Sequence, residues 1–164
     1  MATIRPFMGI RPAPEYAKDV AALPYDVMNT EEAREMVKGN PYSFLHIDRA
    51  EIDLPVGTDP YSPAVYEKAR DTFYEQLDKG IFTQDLLPNL YIYRLTMDGR
   101  SQTGLVVCTA IDEYLNDTIK KHELTRADKE ADRIRHVDTL NANTGPIFLA
   151  YKENADAKAI IDGY

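Results

Sequence analysis

The sequence has little cysteine and no tryptophan: Cys108 is its one thiol in 164 residues. One cysteine cannot form an internal disulfide, and together with only three histidines it leaves no plausible structural zinc site. Because Cys108 stands at the end of the apolar run 105–108, we expect its side chain to be buried. A disulfide-stabilised secreted scaffold is therefore excluded, and a cytoplasmic location is expected.

Long apolar runs and glycine-rich phosphate motifs are also missing. No stretch of 18 apolar residues occurs, which argues against a helix that spans a membrane. The chain has no Walker or dinucleotide-binding glycine pattern and no Gly-x-Ser-x-Gly nucleophile elbow. Its net charge of -8 argues against nonspecific binding to nucleic acid.

What is present is an apolar fraction of 44%, enough for a true core in a chain of this length. We expect one α+β domain over residues 1–164. A helical pattern begins at Asp156 and stops abruptly at Gly163, so we expect this domain to be the N-terminal part of a longer protein.

Periodicity and turn residues predict the elements. Ser62 followed by Pro63 starts a helix over 63–79 with a buried stripe every four residues, and Asn29 or Thr30 caps a second helix over 31–38. Asp98-Gly99 predicts a β-hairpin. The hairpin strands are predicted at 90–96 and 102–111, further strands at 43–47, 118–122 and 146–151, and a third helix at 126–140.

The helix over 126–140 carries two predictions. Thr125 is expected to cap it, with Asp128 completing a capping-box-like pair. Its apolar residues are expected to form the buried stripe, and its polar residues to lie largely on the surface. The predicted stripe comprises Ala127, Ala131, Ile134, Val137 and Leu140; the surface set comprises Arg126, Lys129, Glu130, Arg133 and His136.

The start of this helix is the main candidate site. Residues 118–136 hold six basic and four acidic side chains, a positive island in an acidic chain. Helix N-termini bind anions through their free amides, and arginine forks bind phosphate, so Thr125 and either Arg126 or Arg133 are candidate phosphate ligands. The alternative is an ordinary solvated helix surface of mixed charge.

Carboxylates beside a phosphate repel it unless a cation lies between them, so we expect Mg²⁺, held by Glu123 and Asp26 together with substrate phosphates. Glu123 is alternatively a general base. His122 is a candidate proton shuttle or hydrogen-bond donor, or else a surface group.

A second candidate element is Pro24-Tyr25-Asp26-Val27, which precedes a helix cap. Asp26 is a candidate metal ligand or base, with Tyr25 lining the pocket and Arg11 available for an anion. A simple turn in which Asp26 has only a structural role is the alternative.

Several separated motifs occur in one order: 24–27, Asn40-Pro41-Tyr42-Ser43-Phe44-Leu45-His46, Gln102-Thr103-Gly104, His122-Glu123-x-Thr125 and Asp132-Arg133. Together they resemble a widespread prokaryotic family known only as a domain of unknown function. The resemblance spans nearly the whole chain.

That family is similar in turn to the ParB/sulfiredoxin-like superfamily, which includes ParB nucleotide switches and ADP-dependent free serine kinases. This similarity implies a small mixed sheet with flanking helices and, as function, a nucleotide-dependent phosphotransferase that uses ADP or ATP on a small hydroxyl-bearing substrate. A ParB-like nucleotide-binding switch without catalysis is the alternative. The phosphate motif departs from that of the superfamily, since His122 stands where glycine is usual. Sulfiredoxin chemistry is not expected, because it requires a cysteine in this motif and the chain has none there.

Overall fold

The computed structural model describes residues 2–122 and 125–163 and confirms the α+β class. The helices are α1 Ala17–Val20, α2 Thr30–Met36, α3 Leu45–Asp48, α4 Pro63–Asp78, α5 Ile111–Leu115, α6 Ala127–Leu140 and α7 Ala155–Asp162, with a 3₁₀ turn at Ala50–Asp53. The strands are β1 Ile4–Arg5, β2 Ile10–Pro12, β3 Phe82–Gln84, β4 Tyr91–Met97, β5 Arg100–Val106 and β6 Cys108–Thr109. They pair antiparallel as β1–β6, β2–β3 and β4–β5.

Two compact units divide the described residues. The first contains 2–8, 86–122 and 145–163, and the second contains 9–85 and 125–144. In the first, β4 and β5 form the predicted hairpin, and its turn residues Asp98 and Gly99 both have positive φ, 51° and 76°. This is the turn chemistry that an Asp-Gly pair favours.

The second unit has the main core. Val65, Ala69 and Phe73 on α4 are buried, which confirms the predicted stripe. They pack with Ile47 of α3 and Leu140 at the end of α6. Pro63 occupies the first turn of α4, where its missing amide hydrogen costs nothing.

The N-terminus of α2 is formed by a capping box. The Asn29 side chain accepts a hydrogen bond from the Glu32 amide at 2.9 Å, and the Glu32 carboxylate accepts one from the Asn29 amide at 2.8 Å. Of the two predicted caps, Asn29 is therefore the one that the structure uses.

Three predicted strands are wrong. Residues 43–47 lead into helix α3, with Leu45 and Ile47 buried on the core side. Residues 118–122 and 146–151 form no strand. Short apolar runs do not distinguish a strand from a buried helical turn, because tertiary packing decides between them. Cys108 is exposed on β6, contrary to the prediction that it is buried, since within the described residues that short strand pairs with β1 alone.

Of the predicted buried stripe of α6, Leu140 is confirmed as buried and the other four residues are wrong. Asp132, His136 and Leu140 are the buried residues of this helix, whereas Ile134 is 56% exposed and Val137 is 38% exposed. The two polar residues are accommodated because partners on neighbouring elements satisfy their hydrogen bonds. Nor does Thr125 cap the helix, for Arg126 occupies the cap position without a side-chain cap bond.

Candidate functional site

The buried polar face of α6 meets α3 and α4 in the second unit. There Asp132, Arg133 and His136 lie together with Asp48, the last residue of α3. We call these four residues the Asp–Arg–His cluster. Buried ionisable groups in close contact have perturbed proton affinities, which makes such clusters candidates for chemistry.

Asp132 is the most enclosed carboxylate of the cluster, at 7% exposure. Its Oδ1 accepts a hydrogen bond from the Tyr66 hydroxyl at 2.8 Å. Its Oδ2 accepts two from Arg133, from Nε at 3.1 Å and from Nη2 at 2.9 Å. Burial, together with this hydrogen bond to Asp132, raises the pKa of Tyr66 to about 12. Asp132 is thus held from two sides, and its charge is compensated.

Asp48 is held less completely. Its Oδ1 is buried and has no hydrogen-bond partner. The guanidinium of Arg133 is close to it, but its Nη1 lies 3.7 Å from this oxygen, beyond hydrogen-bond distance. Burial raises the pKa of Asp48, and the nearby Asp132 charge adds to the rise, while His136 and Arg133 oppose it. A carboxylate of this kind takes up a proton more readily than an exposed one.

His136 is buried between α3 and the segment after α6. Its Nε2 lies 3.1 Å from the backbone carbonyl of Ile47, and its Nδ1 lies 3.4 Å from the Thr144 hydroxyl. Burial lowers the pKa of His136, and the Arg133 charge lowers it further. A neutral ring fits both contacts if Nε2 carries the hydrogen and donates to Ile47, leaving Nδ1 to accept from Thr144.

Arg133 connects the cluster to the surface. Its side chain is 29% exposed, so part of the guanidinium reaches solvent. The guanidinium carbon lies 4.4 Å from the centre of the Tyr25 ring, which is cation–π distance. The Tyr25 ring therefore packs against the partly exposed guanidinium.

Arg49 holds the turn that carries Tyr25. Its Nη1 donates to the backbone carbonyls of Tyr25 at 2.9 Å and Met28 at 3.0 Å. Its Nη2 donates to the Thr30 hydroxyl, and its Nε to the buried Glu51 carboxylate, both at 3.0 Å. Four acceptors fix this guanidinium, so the turn before α2 is anchored to the segment after α3.

The arrangement combines a partly exposed arginine fork, an aromatic ring packed against it, the buried carboxylate of Asp132 and the half-buried carboxylate of Asp48. Guanidinium forks match the geometry of phosphate, and a carboxyl group with a raised pKa suits proton transfer near neutral pH. Among residues 2–122 and 125–163, no group of three or more His, Cys, Asp or Glu side chains is arranged to hold a metal ion.

Residues 4–164 match the family described as Protein of unknown function (DUF1015). The chain belongs to the DUF1015 family. No curated protein and no solved structure matches this DUF1015 chain. Within the described residues, no helix is long and apolar enough to cross a membrane.

The structure brings together two of the sequence-predicted site residues of this DUF1015 chain, Tyr25 and Arg133. Asp26 follows Tyr25 in the anchored turn and is exposed. Glu123 lies outside the described residues. His122 is exposed and belongs to the first compact unit, whereas α6 belongs to the second.

The other predicted phosphate ligands have local partners. Arg126 donates to Asp128 from Nε at 3.1 Å and from Nη2 at 2.7 Å, and both side chains are exposed. The Thr125 hydroxyl donates to Glu130 at 3.1 Å. Arg11 forms an ion pair with Asp85 at 2.7 Å. Arg133 differs from these residues because its guanidinium also packs on the ring of another predicted site residue, Tyr25.

Sequence reasoning missed Asp48, Asp132, His136 and Tyr66 as members of the site. One signal was available, because Asp132 and His136 are four residues apart, and with Leu140 they lie on one helix face. Asp48 gave no signal of its own, since it directly follows the segment 43–47, which was predicted to be a strand and not a helix.

Proposed function

We propose that the second unit contains the catalytic centre of a nucleotide-dependent phosphotransferase that acts on a small hydroxyl-bearing substrate, as the ADP- or ATP-dependent free serine kinases do. The observation that carries the proposal is the position of Arg133, stacked on Tyr25 and flanked by the carboxylates of Asp48 and Asp132. This position would bring a phosphate ligand, Arg133, close to a proton acceptor, Asp48.

In this proposal Arg133 binds the terminal phosphoryl group of the nucleotide. The guanidinium is already planar and oriented by Asp132 and Tyr25, so little ordering is required when phosphate arrives. Positioning and charge neutralisation provide most of the catalysis in phosphoryl transfer. The anchored Tyr25 ring also offers an apolar face to the nucleotide.

Asp48 is the proposed base. The substrate hydroxyl oxygen attacks the terminal phosphorus, the bond from that phosphorus to the leaving nucleotide oxygen breaks, and the hydroxyl proton passes to Asp48. Its raised pKa favours this acceptance. Mg²⁺, bound mainly by the phosphates, would neutralise their charge, with Asp26 and Glu123 as the carboxylates proposed to contribute to its coordination.

Calorimetry with ADP, ATP and CTP in the presence of Mg²⁺ tests the proposal. We expect one of the three to bind, and Arg133→Ala to weaken that binding by about 1.5–3 kcal/mol, the contribution of a charged hydrogen bond. Arg126→Ala is the matched control, since that guanidinium is exposed and engaged by Asp128. Absence of binding at millimolar concentration, or equal losses in the two variants, contradicts the proposal.

One observation favours a second function, a ParB-like nucleotide switch without catalysis. Arg133 already pairs with both Asp132 and Asp48, so a phosphate that competes for it would release these two carboxylates and rearrange the cluster. Phosphorus NMR separates the two functions. A phosphotransferase consumes the nucleotide in the presence of hydroxyl-bearing substrates such as free serine, whereas a switch leaves it intact.

A further inference from the structure

A cleft of about 360 Å³ lies between the segment 41–53 and helix α4 in the second unit. Its walls include His46, Asp53, Lys68, Thr72 and Gln76. None of these residues belongs to the Asp–Arg–His cluster or contacts Arg133. This volume is within the range of sites that bind small molecules.

Two side chains of the cleft wall have unused hydrogen-bonding capacity. Thr72 is 7% exposed and Gln76 is 5% exposed, and neither Thr72 Oγ1 nor Gln76 Oε1 has a hydrogen-bond partner. Gln76 uses its amide nitrogen in a long contact of 3.4 Å to the Pro41 carbonyl, which leaves the oxygen free to accept. Buried polar atoms without partners are rare in native proteins, and a polar ligand that supplies the bonds is a direct explanation.

Both hydrogen-bond partners of the cleft histidine suit its charged form. His46 Nδ1 lies 3.0 and 2.9 Å from the two oxygens of Asp53, and its Nε2 lies 3.1 Å from the Asn40 carbonyl. Since both partners are acceptors, both ring nitrogens donate when the ring is an imidazolium. The hydrogen bond to Asp53 also raises the pKa of His46. The charges of His46 and Asp53 then cancel.

A third feature of the cleft is the ammonium group of Lys68. Glu75 and Lys79, which also line the cleft, form an ion pair with each other. Lys68 is partly buried, and in the part of the chain that the structure describes it has no ion pair. Its charge acts on two groups of the cleft and lowers the pKa of both His46 and Glu75. Since none of the described carboxylates lies at ion-pair distance from this ammonium, it can pair with an anion in the cleft.

We propose that this cleft binds a small hydroxyl-bearing carboxylate. The carboxylate of the ligand pairs with Lys68, and a hydroxyl donates to Gln76 Oε1 and bonds to Thr72 Oγ1. Both oxygens are closed off from bulk water, so a small rotation of the Thr72 or Gln76 side chain accompanies binding. The site involves neither Arg133 nor a nucleotide and is independent of the proposed phosphotransferase activity.

NMR titration of the whole chain tests this inference, with the His46 ring signals as the readout. Glycerate and propionate are the probes, because they share a carboxylate and three carbons but only glycerate has hydroxyls. We expect glycerate to shift the His46 signals at millimolar concentration, and propionate to bind at least about tenfold more weakly, as expected when buried polar groups lose a partner.

Variants assign the contacts. Lys68→Met keeps the aliphatic stem and removes the charge, so it is expected to weaken glycerate binding about tenfold or more. The control is Lys18→Met, because Lys18 is an exposed residue of α1 outside the cleft, and this variant is expected to leave glycerate binding unchanged. Thr72→Val is expected to reduce the advantage of glycerate over propionate. Backbone amide spectra confirm that each variant is folded.

Three results would overturn the inference. The first is the absence of any His46 shift with glycerate up to about 50 mM, a concentration well above the Kd of a weak site. The second is undiminished binding in folded Lys68→Met, and the third is equal affinity for glycerate and propionate.

Discussion

Replacing Tyr66 by phenylalanine removes one hydroxyl from the centre of the second unit. That hydroxyl donates to Asp132 Oδ1 at 2.8 Å, and the two residues are 5% and 7% exposed, so water does not replace the lost bond. The ring and its packing are kept. A hydrogen bond to a charged group contributes about 1.5–3 kcal/mol, and we expect Tyr66→Phe to lower the free energy of unfolding by that amount.

Tyr61→Phe is the matched control, because it removes a hydroxyl that also contacts α6. The Tyr61 oxygen accepts a hydrogen bond from Lys129 at 3.1 Å, but Tyr61 is 42% exposed and water replaces the contact. We expect a change within about 0.5 kcal/mol for this variant. The same substitution is thus compared at a buried bond to a charged group and at an exposed one.

Urea denaturation followed by circular dichroism measures both variants. Because the pKa of Tyr66 is about 12, its hydroxyl remains protonated and donating throughout the pH range in which the protein is studied. The difference should therefore persist across neutral and mildly alkaline buffers. If Tyr66→Phe lowers the free energy of unfolding no more than Tyr61→Phe does, the hydrogen bond from Tyr66 does not stabilise the buried Asp132, and this part of our reasoning about the Asp–Arg–His cluster is refuted.

Two further variants test the titratable groups. The folded-state pKa of Asp48 is raised, so stability falls as pH rises from the unfolded value of about 3.9 towards the folded one. Asp48→Asn should therefore stabilise the chain at about pH 7, by roughly 0.5–2 kcal/mol. Destabilisation at that pH in urea titrations would contradict this. The same variant should abolish any phosphotransfer. The folded-state pKa of His46 is also raised, so its stabilising contribution is fully present below about pH 6.5 and is lost as pH rises through the folded value. His46→Gln should therefore lower the free energy of unfolding more at about pH 5.5 than at about pH 8.5. Urea denaturation at the two pH values measures both losses, and a larger loss at the higher pH would contradict the prediction.

The sequence predicted the elements whose signals are local. The α4 stripe, the Asn29 cap and the Asp98-Gly99 hairpin each depend on neighbours within a few residues, and each is present in the structure. Helix α6 was located within one residue of its start, because its length and periodicity define it. Local chemistry determines where such elements begin and end.

The buried face of α6 could not be predicted from residues near it in the sequence, because it depends on partners far away along the chain. Asp132 is acceptable in the interior only because Tyr66, 66 residues earlier, donates to it, and His136 because the Ile47 carbonyl, 89 residues earlier, meets its ring. Hydrophobic periodicity assigns polar residues to the surface and so selects the opposite face. The site residues Tyr25 and Arg133 were predicted individually, but not that they stack on each other.

The central claim is that Arg133, rather than the N-terminus of α6, receives the phosphate. The most direct test follows the Nε–Hε signals of the arginine side chains by NMR as ADP or ATP is added with Mg²⁺. We predict that the Arg133 signal shifts with saturation while the Arg126 signal stays in place. A saturable shift at Arg126 with Arg133 unmoved, or no shift at either residue, would contradict the account.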